Sequence, residues 1–233
     1  MKIALISDIH SNLHALTSAL SSIERHNVDA IYCLGDIVGY GADPSPCIDL
    51  VERHCNGVVL GNHDLAVARN EGTDYLPRSG QEAIKHNRAK LSNGQLDYLA
   101  SLPYTLVAEG CTFVHATPKS PENWVRFDTL GTVRDQFDHF DTAFCFVGHT
   151  HIPAVVADKL GVFRVRAGSR YIINVGSIGQ PRDNDPRLAF VVFDTETLSH
   201  ELVRVRYDVE GAAARILADG LPKDLASRLS RGK

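Results

Sequence analysis

MKIALISDIHSNLHALTSALSSIERHNVDAIYCLGD, residues 1–36, decides the fold. An apolar run over 3–7 ends on Asp8. Leu13, Leu16, Leu20 and Ile23 then recur at helical spacing. A second apolar run over 30–34 ends on Gly35 and Asp36. The stretch reads strand, helix, strand, and each strand delivers a carboxylate at its C-terminal end. Residues 46–54 continue as a helix and 58–60 as a third strand, so this quarter predicts a parallel sheet with helical crossovers.

Residues 65–102 read as helical, with Ser92 as N-cap of the last segment and Pro103 as its stop. The texture then changes to short strands at 106–108, 112–115, 143–147, 154–157, 162–165, 171–175, 188–193 and 200–207. Gly110, Gly161 and Gly168 mark turns between them. Residues 209–217 and 221–229 are amphipathic and close the chain as helices. The predicted class is α/β, with two packed β-sheets flanked by helices and residues 1–233 as one domain.

Composition narrows the function classes. Of 233 residues, 44% are hydrophobic and 22% charged, which suits a globular chain with a real core. The formal charge is −4 with Lys and Arg scattered, so no nucleic-acid polymer is expected as partner. The basic end SRLSRGK (227–233) reads as a solvated last helical turn. Cys33, Cys111 and Cys145 lie in apolar runs, the cysteine count is odd, and no CxxC occurs; a reducing cytoplasm is expected. MKIALISD reaches an aspartate too soon for a signal peptide. No apolar stretch approaches the roughly 20 residues of a membrane span.

Asp8, Asp36, Asn62 and His115 each stand just after an apolar strand-like run, and His149 and His151 follow the run over 143–147. Ligands of open α/β sheets gather beyond the C-terminal ends of strands. Each residue has an ordinary reading alone: helix cap, turn residue, core or surface histidine. Their recurrence at five strand ends points to a shared metal.

The motifs DIH (8–10), GDIV (35–38), GNHD (61–64), VHA (114–116) and GHTH (148–151) resemble, in this order, the sequence blocks of the calcineurin-like metallophosphoesterases. NVGSIGQPRD (174–183) resembles a segment of the bacterial and archaeal phosphodiesterase branch. The resemblance implies a sandwich of two mixed sheets between helices. It implies one ion held by Asp8, His10, Asp36 and His151, and a second by Asp36, Asn62, His115 and His149, with Asp36 bridging. Mn is the first candidate, with Fe, Zn, Ni or Co as alternatives, since mixed N/O donors suit such ions. The implied reaction is attack of a metal-bridging hydroxide on a small phosphoester. His63, the unligated group of GNHD, would act near the leaving oxygen as general acid or charge stabiliser. Asp64 reads as a cap for the segment that follows.

Protein phosphatases of the superfamily carry Asp-Arg where this chain has Gly39 and Tyr40. That difference argues against phosphoproteins and leans toward phosphodiesters. A phosphomonoesterase or dinucleoside polyphosphate hydrolase is the alternative chemistry, and a non-catalytic scaffold the alternative class. Asn12 is a candidate phosphate contact, or a helix N-cap. Arg182 is another, or a surface loop arginine. Specificity is expected in the loops at 39–46, 65–80 and 118–130, where Trp124 is either a stacking aromatic or a packed surface side chain.

Overall fold

The structure is a computed structural model that describes residues 1–74, 76–127, 129–161 and 164–233. The opening stretch forms β1 (Lys2–Ile6), α1 (Leu13–Glu24) and β2 (Ala30–Cys33), followed by α2 (Pro44–His54) and β3 (Gly57–Val58). α2 starts two residues before the expected Pro46. Pro44 suits a first helical turn, where its missing N–H has no partner to lose.

The helical middle is three helices: α3 (Asn62–Arg69), α4 (Arg78–Lys90) and α5 (Asn93–Ser101). Asn70 ends α3 in a left-handed conformation with φ 55°. Ser92 caps α5, its hydroxyl accepting the Gln95 N–H at 3.3 Å. Then follow β4 (Thr105–Ala108), β5 (Cys111–Val114), α6 (Leu130–Arg134), β6 (Phe144–Val147), β7 (Ala154–Ala157), β8 (Tyr171–Asn174), β9 (Leu188–Asp194) and β10 (His200–Val205). Helices α7 (Val209–Ala218) and α8 (Lys223–Leu229) close the chain. Of the strand expected over 162–165, Val162 and Phe163 lie outside the described residues, and Arg164 and Val165 are not in a strand.

Two mixed five-stranded sheets result, in the orders β10-β9-β1-β2-β3 and β4-β5-β6-β8-β7. β1, β2 and β3 run parallel, as do β5, β6 and β8, while β9, β10, β4 and β7 join antiparallel. Alternation along β1 shows why the sheets stack. Ile3 and Leu5 face Phe113, Phe146 and Tyr171 of the second sheet. Ala4 and Ile6 face the other way, against Leu16, Ile23 and Ile48 of α1 and α2. On β6, Phe144 and Phe146 point between the sheets, while Cys145 and Val147 meet Val133, Phe137 and Phe140 outside. The layers are therefore helix, sheet, sheet, helix, as the period of two requires. The C-terminal edges of β1, β2, β5 and β6 meet at one rim of this sandwich.

Candidate metal centre

At that rim the chain bends sharply after each strand. Asp8, His10, Asp36, His149 and His151 all adopt positive φ, between 49° and 65°. Such backbone costs a side-chain-bearing residue on the order of 1–3 kcal/mol, and it collects at functional sites. The strain is held by cross-links between loops. Asp8 N–H donates to Gly35 O at 3.0 Å, His10 N–H to Asp36 O at 2.9 Å, and His149 N–H to Asp8 Oδ2 at 3.0 Å.

The imidazoles are aimed in turn. His10 Nδ1 bonds Val38 O at 3.1 Å, His115 Nδ1 bonds Leu34 O at 2.7 Å, and His151 Nδ1 bonds Gln180 O at 2.5 Å. Each bond makes Nδ1 the donor and turns Nε2 toward the centre, the usual arrangement behind metal-binding histidines. His10 Nε2 and His151 Nε2 stand 3.1 Å apart, and Asp8 Oδ1 is 3.2 Å from His151 Nε2. His115 Nε2 lies 3.1 Å from Asn62 Oδ1 and 3.2 Å from His149 Nδ1. Asp36 Oδ2 faces both groups, 3.6 Å from His10 Nε2 and 3.4 Å from His115 Nε2.

These residues fit divalent metal. Donors that share one ion at about 2.0–2.1 Å stand about 3.3 Å from each other in a tetrahedron, close to the spacings here. Asp8 Oδ1 is buried without a hydrogen-bond partner. Asp8, His10 and His151, and likewise Asp36, His115 and His149, place ligand atoms within 4.8 Å of one another. His63 falls in such a group with His10 and Asp36. Without metal the charges settle pairwise. Burial pulls His115 down, but Asp36 beside it outweighs this and lifts it to about 9. Burial and then His115 push His149 down to about 3. Burial holds His10 well below its usual range.

The domain of the calcineurin-like phosphoesterase superfamily matches residues 1–198. The chain belongs to this superfamily. An uncharacterised protein of Methanocaldococcus jannaschii is 39% identical, over 99% of this chain and 98% of its own. A metallophosphoesterase from Sphaerobacter thermophilus superposes with a TM-score of 0.88 at 35% identity, covering 100% of this chain and 99% of that one. A hypothetical protein from Pyrococcus horikoshii shares the fold, with a TM-score of 0.80, 23% identity and coverage of 100% and 98%. Membership makes the protein a metal-dependent phosphoester hydrolase by family.

In this phosphoesterase the centre opens into a pocket of about 430 Å³. Asp36, Asn62, His63, His149 and His151 form its base, and Tyr40, Leu76, Pro77, Asn123, Trp124 and Arg126 its walls, so all three loops named from sequence contribute. Residues 65–69 and 78–80 of the second are helical. Trp124, at φ 53°, turns its ring to 5.9 Å from that of His115. Arg182 lines the pocket and donates to Gln180 Oε1 at 2.9 Å. Asn12 stands apart from it: Oδ1 caps α1 through Ala15 N–H at 3.1 Å, and Nδ2 donates to Gly179 O at 2.9 Å.

His63 lies against Tyr40 and His10, with ring centroids 4.4 and 4.9 Å away. Its Nδ1 is buried and has no hydrogen-bond partner. Gly39 is packed beneath it: a Cβ there would come within 2.5 Å of Nδ1. Burial pushes His63 down to about 4, with Arg182 adding to the effect against the pull of Asp36. Asp64 is the expected cap and more, accepting Gly61 N–H and Val38 N–H at 3.1 Å each. Burial next to Asp36 pushes its carboxyl up to about 7.

Two kinds of residue escaped the sequence reading. Asn87 of α4 accepts Ser11 Oγ–H at 2.6 Å and Gly39 N–H at 2.7 Å, and donates to Gly41 O at 2.9 Å, tying the DIHSN and GDIVGYG loops together. A polar residue on the buried stripe Gly80, Ala83, Ile84, Asn87 was the available signal. Arg228, assigned by sequence to a solvated turn, instead lines the pocket. α8 folds back because Leu225, Ala226 and Leu229 pack with Tyr40 and Ala42, and that packing turns Arg228 inward.

Proposed function

We propose that this protein hydrolyses small phosphodiesters, in a reducing cytoplasm, using two divalent ions of which Mn is the first candidate. The observation that carries this reading is the convergence of seven ligand-type residues with their donor atoms turned inward. Asp8, His10, Asp36 and His151 would hold one ion; Asp36, Asn62, His115 and His149 the other, with Asp36 common to both sets. Bound there, the ions would supply Lewis acidity toward water and the phosphoryl oxygens.

The chain's own residues do the rest. The Nδ1–carbonyl bonds fix the imidazoles before substrate arrives, so little reorganisation remains. Asp36 Oδ1 accepts the His63 N–H at 2.8 Å, which seats His63 beside the centre. His63 serves the departing oxygen. Burial holds its imidazole down at about 4 in the free chain, and an anionic ester beside it raises its affinity for a proton. Arg182, on the pocket wall, meets a phosphate oxygen of the substrate.

The test is hydrolysis of bis(p-nitrophenyl) phosphate after EDTA treatment, with restoration by Mn²⁺ or Ni²⁺. Chelator-resistant activity, or none with any divalent ion, defeats the reading. Purified protein that never takes up metal makes it a scaffold instead. The arginines at the pocket favour a second reading, a phosphomonoesterase or dinucleoside polyphosphate hydrolase; faster turnover of p-nitrophenyl phosphate than of the diester would select it.

A further inference from the structure

Arg228 sits on α8, beyond residue 198 where the superfamily domain ends. It nevertheless lines the same pocket as Asp36 and His63. Its guanidinium carbon lies 5.7 Å from the centre of the Tyr40 ring. Arg182, from the 174–183 segment, lies 5.7 Å from the same ring. Tyr40 in turn packs 4.7 Å from His10 and 4.4 Å from His63. One aromatic ring thus stands between the candidate metal centre and two cations from unrelated parts of the chain.

The arrangement is built. Tyr40 is only 7% exposed and belongs to the apolar cluster that docks α7 and α8. Arg228 is three-quarters buried, its ion pair with Asp224 runs along the outside of the helix at 3.0 Å, and Asp224 is half exposed. A helical i,i+4 pair whose carboxylate is half exposed is worth only a few tenths of a kcal/mol and yields readily to a better anion. Such guanidiniums match phosphate in planar, two-pronged geometry. The scissile ester occupies the centre itself, so the two cations await something else.

We propose that Arg228 and Arg182 form a subsite for a second phosphoryl group on the same substrate. The inference rests on the hydrolase reading above and narrows it to esters that carry a further phosphate next to the one cleaved. Arg228 is then a specificity residue supplied from outside the common domain.

Trp124, the chain's single tryptophan, lines the pocket, so its fluorescence reports occupancy directly. The experiment titrates the EDTA-treated, metal-free protein with inorganic pyrophosphate and with inorganic phosphate, in wild type, Arg228→Ala, Arg228→Lys and Arg231→Ala. Wild type should bind pyrophosphate about tenfold or more tighter than phosphate. Arg228→Ala should lose most of that preference and Arg228→Lys part of it, since a point charge replaces the fork. Arg231→Ala removes the same charge one turn on, away from the pocket, and should keep the preference. Equal affinities in wild type, or equal losses in the 228 and 231 variants, overturn the subsite. Unfolding temperatures identify a variant that fails to fold, in which case the lysine variant decides. Because no metal or turnover enters the readout, a failed subsite and a failed hydrolase reading are told apart.

Discussion

His10 Nε2 and His151 Nε2 approach to 3.1 Å across 141 residues of chain. Burial lowers the proton affinity of both rings, so neither carries charge near neutrality. Two nitrogens at this distance, beside Asp8 and Asp36, fit a divalent cation.

Asp36 faces the imidazoles of both histidine groups, whereas Asp8 approaches those of His10 and His151. Asp36→Asn should therefore strip both ions and Asp8→Asn mainly one. Metal content per chain measures this; identical losses in the two variants would remove the bridging role from Asp36.

His63→Ala should keep both ions and the fold, since its imidazole nitrogens are not needed by either ligand set. The loss should depend on the leaving group. Release of an alkoxide should slow by up to about 10²–10⁴-fold, and release of p-nitrophenolate far less. Equal slowing of both would assign His63 to steadying the phosphoryl oxygens. A lost ion would make it a ligand.

Gly39→Ala should act through His63. The new Cβ lands 2.5 Å from Nδ1, on backbone at φ 99°. Misplacing such a group by a fraction of an ångström can cost about 10²-fold in kcat. Unfolding should also come several degrees earlier, from about 1–3 kcal/mol of strain. Gly110→Ala, at φ 70° with open space around it, should share the stability loss and spare kcat. Full activity in Gly39→Ala would show that His63 needs no such seat.

His115 ties metal to pH. Its folded value of about 9 lies above the ordinary 6.5, so its charged pairing with Asp36 stabilises the metal-free chain fully below about pH 6.5. That contribution fades as pH rises through about 9. A divalent ion must expel the same proton, so apparent affinity should climb over this window. Calorimetry in two buffers of different ionisation enthalpy should register proton release near pH 7 and almost none near pH 10. No release at pH 7 would mean that His115 is already neutral.

The sandwich and the ligand-bearing loops were legible because they are local patterns. The apolar runs over 3–7 and 143–147 and the ligand-type residue just beyond each are visible within a few positions. Arg228 and Asn87 were not, because their roles depend on where α8 and α4 dock. SRLSRGK has the composition of a solvent-facing turn, and only the apolar cluster around Tyr40 turns one arginine inward. Nor does sequence spacing disclose a left-handed backbone at five ligand-type residues, which cross-loop hydrogen bonds impose. The segment 174–183 stood out by resemblance alone. The structure shows it bracing the centre: Ser177 Oγ–H donates to Asp8 O at 2.8 Å, and Gln180 O orients His151.

The half of the centre built on Asp8 and His10 is complete only when His151 arrives. During synthesis the opening loops wait for about 140 further residues, about 7–28 seconds at synthesis rates of about 5–20 residues per second. Through that interval the strained DIH turn has neither the His149 N–H nor Gly179 N–H to hold it. An ion held there would be acquired only once about two-thirds of the chain is made, and fragments halted before residue 149 should emerge metal-free even in medium rich in divalent cations.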